Sequence, residues 1–292
     1  MERNPRRNTN GLECIFISDI YKADAENKGG AENNDAVLIS NLRAQNFFVD
    51  EVYSAEITPE FIKNNSDKKF IIGNFVLLTK AVKTALEGVD YLIYEHDHKY
   101  LITRDPSKYS NFIAPETDIM DRSFYENAKL VVCLSKIQEK CIRENLKIEN
   151  VVNIGTSLWT DEKLAFIYDL SFKEKTKDIC IVDSINPTKG THAAINFCIK
   201  NKWEFDLISS SDERKFLNSL SSYKTLVFIP TVLESLCRLV VEAKMMNCKV
   251  YTKTHLLGAA SEDWFSLSGE DLIEEIRKKQ RVALKIFMEA LL

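Results

Sequence analysis

No apolar run in this sequence approaches the ~18 residues that a membrane-spanning helix needs. The first ten residues, MERNPRRNTN, carry charge with no apolar stretch behind them, so they read as a frayed polar tail and not as a secretory signal. Nothing else points to secretion, and the sequon at Asn64 is taken as accidental. No CxxC pair occurs among the seven cysteines, an odd number. Several of them, such as Cys133 and Cys180, sit inside apolar runs. Free buried thiols in a reducing compartment are the simple expectation, against a disulfide framework or a zinc site. Positive charge is not in surplus either: 39 basic residues face 43 acidic ones, a net charge of -4. That balance argues against broad nucleic-acid binding. GxSxG, HExxH, Walker-type and GxGxxG motifs are all missing, which weakens readings as a serine hydrolase, zinc protease, P-loop NTPase or dehydrogenase. A soluble, cytoplasmic protein is the expectation.

What is present is an alternation of short apolar runs with longer segments of helical period, the pattern of βα units and a parallel sheet. A first series of strands is expected at 13–18, 47–54, 68–73, 89–97, 129–135 and 150–155, with helices at 31–46, 75–87 and 135–145. A second series places strands at 178–184, 203–210, 223–230 and 248–252, with helices at 188–201, 212–220 and 236–247. The polar stretch 156–176 reads as the connection between two domains, and 269–292 as a long amphipathic helix. The expected division is 1–165, 166–275 and a helix 276–292 that crosses back to the first domain. In doubly wound sheets of this kind, ligands bind outside the carboxyl ends of the strands.

Chemistry-bearing residues gather at those ends. In PTVLESLCRLVVEAKMMNCKV (230–250), a strand runs into a loop carrying Glu234, and a helix is expected to begin near Ser235 or Leu236. Unpaired N–H groups and partial positive charge at such a helix start suit a diphosphate. Arg238 stands in the expected first turn, where the helix dipole disfavours a cation and an anionic ligand or an ion pair would explain it. Glu242 follows Glu234 at the spacing E-x7-E. Upstream, DICIVDSINPTKGTHAAINF (178–197) carries Lys189 before a glycine and a helix, and KGGAENNDAVLISNL (28–42) carries Gly29 and Gly30. The strand YLIYEHDHKY (91–100) ends in a His-Asp-His cluster. His96 and His98 would share one face there, and a metal site is a competing use of such residues. The loop that follows, 99–118, holds Tyr100, Arg104 and Tyr109, which would either contact an acceptor or pack the loop on its own domain.

Taken in this order, the segments resemble family 4 glycosyltransferases and their relatives. The resemblance implies an α/β protein of GT-B architecture, two doubly wound Rossmann-like domains facing a cleft. It implies Glu234 at the donor sugar, with His96 there too or His98 in its place, and Glu242 on the nucleotide ribose. Backbone groups of Ser235 and Leu236 would face the phosphates with Lys189, while Gly29 and Gly30 would let the N-terminal backbone approach the donor. This sequence has Ser184 where the family commonly has an arginine, and Arg238 is expected to supply that charge.

The activity so implied is transfer of a sugar from a nucleoside-diphosphate sugar to an acceptor hydroxyl, with retention at the anomeric carbon and with neither metal nor cofactor. A glycan, lipid-linked or protein acceptor is expected, with no nucleic acid and no transmembrane segment, and peripheral membrane contact is left open. A sugar-nucleotide epimerase, a non-catalytic sugar-nucleotide-binding or scaffold protein, and an unrelated two-domain α/β binding protein are the alternatives.

Overall fold

Apolar runs three to six residues long become strands, and the central four of the first sheet are covered on both faces. A computed structural model describes residues 12–21, 23 and 29–292; the tail MERNPRRNTN and Lys28 lie outside the described residues. The first series forms strands β1 (Glu13–Ser18), β2 (Phe48–Tyr53), β3 (Lys69–Ile72), β4 (Tyr91–Tyr94), β5 (Leu130–Cys133) and β6 (Val151–Asn153). Helices α1 (Gly30–Ala44), α2 (Pro59–Asn64), α3 (Lys80–Leu86), α4 (Arg122–Glu126) and α5 (Lys136–Leu146) lie between them. After α6 (Asp161–Ser171) come β7 (Lys177–Val182), α7 (Thr191–Lys200), β8 (Asp206–Ile208), α8 (Glu213–Leu220), β9 (Tyr223–Val227), α9 (Arg238–Met245), β10 (Lys249–Tyr251) and α10 (Gly269–Leu291).

Both sheets are parallel throughout, in the orders β2-β1-β3-β4-β5-β6 and β10-β9-β7-β8. In each, the strand order reverses between the first and third strands of the series. Such a reversal opens a crevice at the carboxyl end of the sheet. The loops after β1 and β3 and after β7 and β9 therefore flank the two crevices, with the loop after β4 next to the first.

Departures from the expected elements have local causes. α3 begins at Lys80 and not at Phe75, because Thr79 caps it and the N–H groups of Val76 and Leu77 donate to the Asp19 carboxylate at 2.8 and 3.1 Å. α9 begins at Arg238, later than expected, because Cys237 takes a left-handed backbone (φ 77°) that no α-helix continues through. α2 and α4 were not anticipated; α2 is a single short helix set off by Thr58, whose hydroxyl accepts from Phe61 N–H at 3.1 Å, with Pro59 at its first position.

One hydrophobic cluster runs through the molecule, from Phe16 and Leu38 beside the first sheet to Leu226 and Val240 beside the second, by way of Leu164 and Ile167 of α6. Leu272, Ile276, Ala283 and Phe287 of α10 join it at helical spacing, whereas Val282 is exposed. Phe287 meets Tyr94 of β4 edge to face, their rings 5.0 Å apart. Residue 165 falls inside α6 and residue 276 inside α10, so each expected boundary lies within a helix of this shared core. All seven cysteines are buried and unpaired.

Gly190, at the start of α7, has φ +67°, and a Cβ there would lie 1.7 Å from the Ile229 carbonyl oxygen. This close approach brings the loop after β7 against the loop after β9. Gly190→Ala is expected to cost roughly 2–5 kcal/mol through strain and collision. Urea unfolding of the variant measures this, and a loss under 1 kcal/mol (about one ordinary surface substitution) would show that the two loops need not touch.

Candidate active site

The two crevices open into a single cleft of about 1580 Å³. That is larger than the roughly 300–1,000 Å³ of most small-molecule pockets. Gly29, Gly30 and His96 line it from the first sheet; Lys189, Glu234, Ser235, Leu236, Arg238 and Glu242 line it from the second. Every site residue expected from the sequence thus reaches one cavity. His98, the alternative to His96, is fully buried and does not.

Glu234 is fixed by its own backbone. Its N–H donates to Leu256 O at 3.0 Å and its carbonyl accepts from Gly258 N–H at 2.8 Å, a short parallel bridge beyond the end of β9. Its carboxylate takes the Lys189 ammonium at 2.8 and 3.1 Å. Burial opposes charge on Lys189, but the Glu234 carboxylate outweighs it and the pKa is raised. The lysine and the acid therefore form an ion pair across the two loops. The second sheet is joined to the first beside them: Ser235 Oγ donates to His96 O at 2.7 Å, Ser135 Oγ donates to Ser235 O at 2.6 Å, and Leu233 N–H donates to Asp105 Oδ1 at 3.1 Å.

Glu242 is 6% exposed. It accepts from Trp159 Nε1–H at 2.7 Å and from Lys163 Nζ at 2.7 Å, and Arg238 Nε lies 3.8 Å away. Burial alone would raise its pKa; Lys163 and Arg238 reverse this and hold it below the ordinary glutamate value. Lys163 also reaches Glu213 at 2.6 Å. Arg238 is engaged as well. Its Nη1 donates to Asn34 Oδ1 at 3.0 Å, to Ser157 Oγ at 3.1 Å and to Leu158 O, and its guanidinium stacks 4.5 Å over the Trp159 ring. The expected free cation near Ser184 is thus a cation already held by oxygens of the first half of the chain. Neither Gly29 nor Gly30 is left-handed: Gly29 is extended (φ -87°), and the nearest atom to a Cβ on Gly30 would be the Arg238 side chain at 3.4 Å. Ser235 and Leu236 precede α9 and are not its first turn.

His96 is 5% exposed at its side chain. Its Nε2 lies 2.6 Å from Asp35 Oδ1, and Ser18 Oγ donates to Asp35 Oδ2 at 3.1 Å. Nδ1 is buried with no partner. Such an atom costs on the order of 1–3 kcal/mol when left unpaired, so it needs an explanation. Asp97 and His98 do not join His96. Lys99 and Arg104 hold the Asp97 carboxyl well below its ordinary range even though burial opposes this, and His98 Nδ1 shares a hydrogen bond with the Tyr100 hydroxyl at 3.1 Å. Among the described residues no group of three or more His, Cys, Asp or Glu side chains converges as metal ligands would. Tyr100 is fully buried and Tyr109 donates to Asp118 at 2.7 Å, so both pack their own loop; Arg104, half exposed, lines the cleft.

Sequence reasoning missed Asp35, Trp159, Lys163 and Asp105. A signal existed for Asp35, which stands with Leu38, Ile39 and Leu42 on the apolar face of α1, where an acid is out of place. The others belong to no motif.

No family model and no curated protein sequence matches the chain. Its fold, by contrast, is similar to solved structures along nearly its whole length. An alpha-glucosyltransferase in complex with UDP and a 13-mer DNA containing an HMU base superposes with TM-score 0.52 at 10% identity, over 94% of this chain and 91% of that one. Anabaena Alr3699/HepE in complex with UDP and glucose gives 0.51 at 12% identity, over 96% and 92%. A glycosyltransferase from Rickettsia africae ESF-5 gives 0.52 at 14% identity, over 97% and 99%. At such identities the likeness is one of fold: the chain has the GT-B architecture of these glycosyltransferases, two parallel α/β halves around a cleft. Among the described residues no helix is long and apolar enough to cross a membrane.

Burial pushes the His98 imidazole down from 6.5 to about 4. Between those values the unfolded chain binds a proton that the folded chain refuses, so stability is present above pH 6.5 and is lost as pH falls towards 4, by about 3 kcal/mol in all. His98→Gln removes this contribution. Urea unfolding from pH 7 to 4.5 should therefore fall less steeply for the variant than for wild type; parallel curves would mean that the folded protein protonates His98.

Proposed function

We propose that this protein is a glycosyltransferase that moves a sugar from a nucleoside-diphosphate sugar to an acceptor hydroxyl. One observation carries the reading. Lys189 and Glu234, from the two loops at the reversal of the second sheet, meet His96, from the first sheet, in one cleft. A cation, a carboxylate and an imidazole so arranged suit a diphosphate with a sugar beside it. The shared fold supports the reading, since UDP stands in the complexes of two of those transferases.

In this reading the diphosphate lies against Lys189 and the backbone of Ser235 and Leu236, the ribose reaches Glu242, and the sugar lies between Glu234 and His96. Lys189 would exchange Glu234 for phosphate oxygens. As the bond from C1 to the phosphate oxygen breaks, charge grows on the leaving diphosphate, and Lys189 stabilises it. The acceptor oxygen bonds to C1 on the same face, with retention, and its proton passes to the departing phosphate oxygen. Glu234 orients the sugar. No step calls on a metal or a cofactor. Arg238 holds the two walls together and reaches the phosphates only by giving up an oxygen of the first half.

Residues up to 165 form the acceptor side, 166–275 hold the donor, and the helix from 276 ties the halves. The acceptor is assigned to glycans, lipid-linked sugars or proteins. One structure of similar fold contains DNA, but this chain has no basic surplus to match a polyanion. A cytoplasmic role in glycan assembly is consistent with the unpaired cysteines.

Thermal unfolding with UDP, GDP and ADP, and with their glucose conjugates, tests the donor site. A ligand at about 100 times its Kd stabilises by ~2.7 kcal/mol. We expect one nucleotide to raise Tm, unaffected by EDTA, with the shift much reduced in Lys189→Ala and Glu242→Gln. No shift at millimolar concentration with any of them would defeat the reading; binding without release of free or transferred sugar would leave a sugar-nucleotide-binding protein. Glu242→Ala is unsuited to this assay. It strands Lys163, Arg238 and Trp159 without their acceptor, and its own unfolding should show a loss of roughly 3–5 kcal/mol.

A further inference from the structure

We propose that Asp35 is a positioning residue for the reaction. It holds His96 in the tautomer with the proton on Nε2, which leaves Nδ1 a bare acceptor for a hydroxyl of the bound sugar. The ligand in this statement rests on the transferase reading; the tautomer rests on geometry alone.

Asp35 is buried at the start of α1, with Oδ1 2.6 Å from His96 Nε2 and Oδ2 accepting from Ser18 Oγ at 3.1 Å. A carboxylate only accepts hydrogen bonds, so Nε2 must donate; a neutral imidazole has one N–H, so Nδ1 keeps its lone pair. The carboxylate cannot drift. On Gly73, just beyond β3, a Cβ would lie 2.7 Å from Asp35 Oδ2 and 2.8 Å from the Phe16 ring, so the absent side chain leaves room for this acid and no more. The ring is held from the other side by Tyr94, 4.2 Å between centroids. Ser18 ends β1, Gly73 follows β3 and His96 follows β4, so the assembly stands at the reversal of the first sheet.

A buried nitrogen without a partner also occurs on His98 Nε2, away from the cleft; what sets His96 apart is that it lines the cleft. α1 is already tied down by Asn34, whose Oδ1 accepts from Ser157 Oγ at 2.6 Å, Leu158 N–H at 2.8 Å and Arg238. Yet His96 lines the cleft and its Nδ1 is buried without a partner. A buried acceptor beside a ligand cavity fits a ligand hydroxyl as its missing donor.

Two measurements on the full chain test the proposal. The first is two-bond ¹⁵N–¹H correlation of labelled histidines, with His96 assigned by its loss in His96→Gln. Wild type should show a protonated Nε2 and a bare Nδ1, and Asp35→Asn a mixture of tautomers. The second is turnover of UDP-glucose. Asp35→Asn should lower kcat roughly 10- to 100-fold with little change in KM, because the misplaced ring acts on the reacting complex. A bare Nε2 in wild type, an unchanged tautomer in Asp35→Asn, or a raised KM at full kcat would each overturn the role of Asp35. If wild type turns over no sugar nucleotide, the transferase reading fails separately, and the tautomer pattern still decides for or against Asp35.

Discussion

The Glu242 carboxylate, withdrawn from water between Trp159, Lys163 and Arg238, fixes how the two sheets stand to one another. It belongs to α9 of the second half, whereas Trp159 precedes α6 and Arg238 reaches back to Asn34 of α1. Burying such a cluster costs several kcal/mol per ion, and only near-complete pairing recovers it. The cost makes the geometry specific. An apolar seam tolerates a slide of an ångström or two, but a displaced ion pair leaves charges without partners. The positions of Gly30, Ser157 and Leu158, and with them one wall of the cleft, follow from where Arg238 can satisfy its donors.

The same logic governs the cleft. Lys189 is paired with Glu234 and Lys163 with Glu242, so both acids suggested by the E-x7-E spacing are neutralised before anything binds. In the proposed reading, an incoming anion would compete with these carboxylates for the two lysines. On that reading, a ligand with negative charge alone would gain little unless it also offered hydroxyls to the carboxylates it displaces. A phosphorylated sugar brings both.

Much of this was legible in the sequence. Every strand but β7, which starts one residue early at Lys177, lies within its expected run, because parallel strands are built from short apolar stretches. The cleft residues were legible only through the resemblance of their segments, taken in order, to a known family; each segment alone is an ordinary loop. Hidden were the partners. Trp159 and Lys163 lie some 80 positions from Glu242, as the hydrogen-bond separation of 83 shows for the first, and Asp35 lies 61 from His96. Pairings over such distances are products of the folded chain and leave no local period. The late start of α9 was equally hidden, since a left-handed cysteine has no compositional mark.

The reach of α10 bears on how the chain is made. Tyr94, in the middle of the first sheet, is covered on one side by Phe287, almost two hundred residues further on. During synthesis, the strands of that sheet leave the ribosome long before their cover exists. The part of that face around Tyr94 that α1 and α6 do not cover must wait until residue 287 has been translated. The nascent first half is thus a client for any chaperone that reads exposed apolar surface, and a chain cut short before α10 loses part of the core of its opening half, not merely a terminal helix.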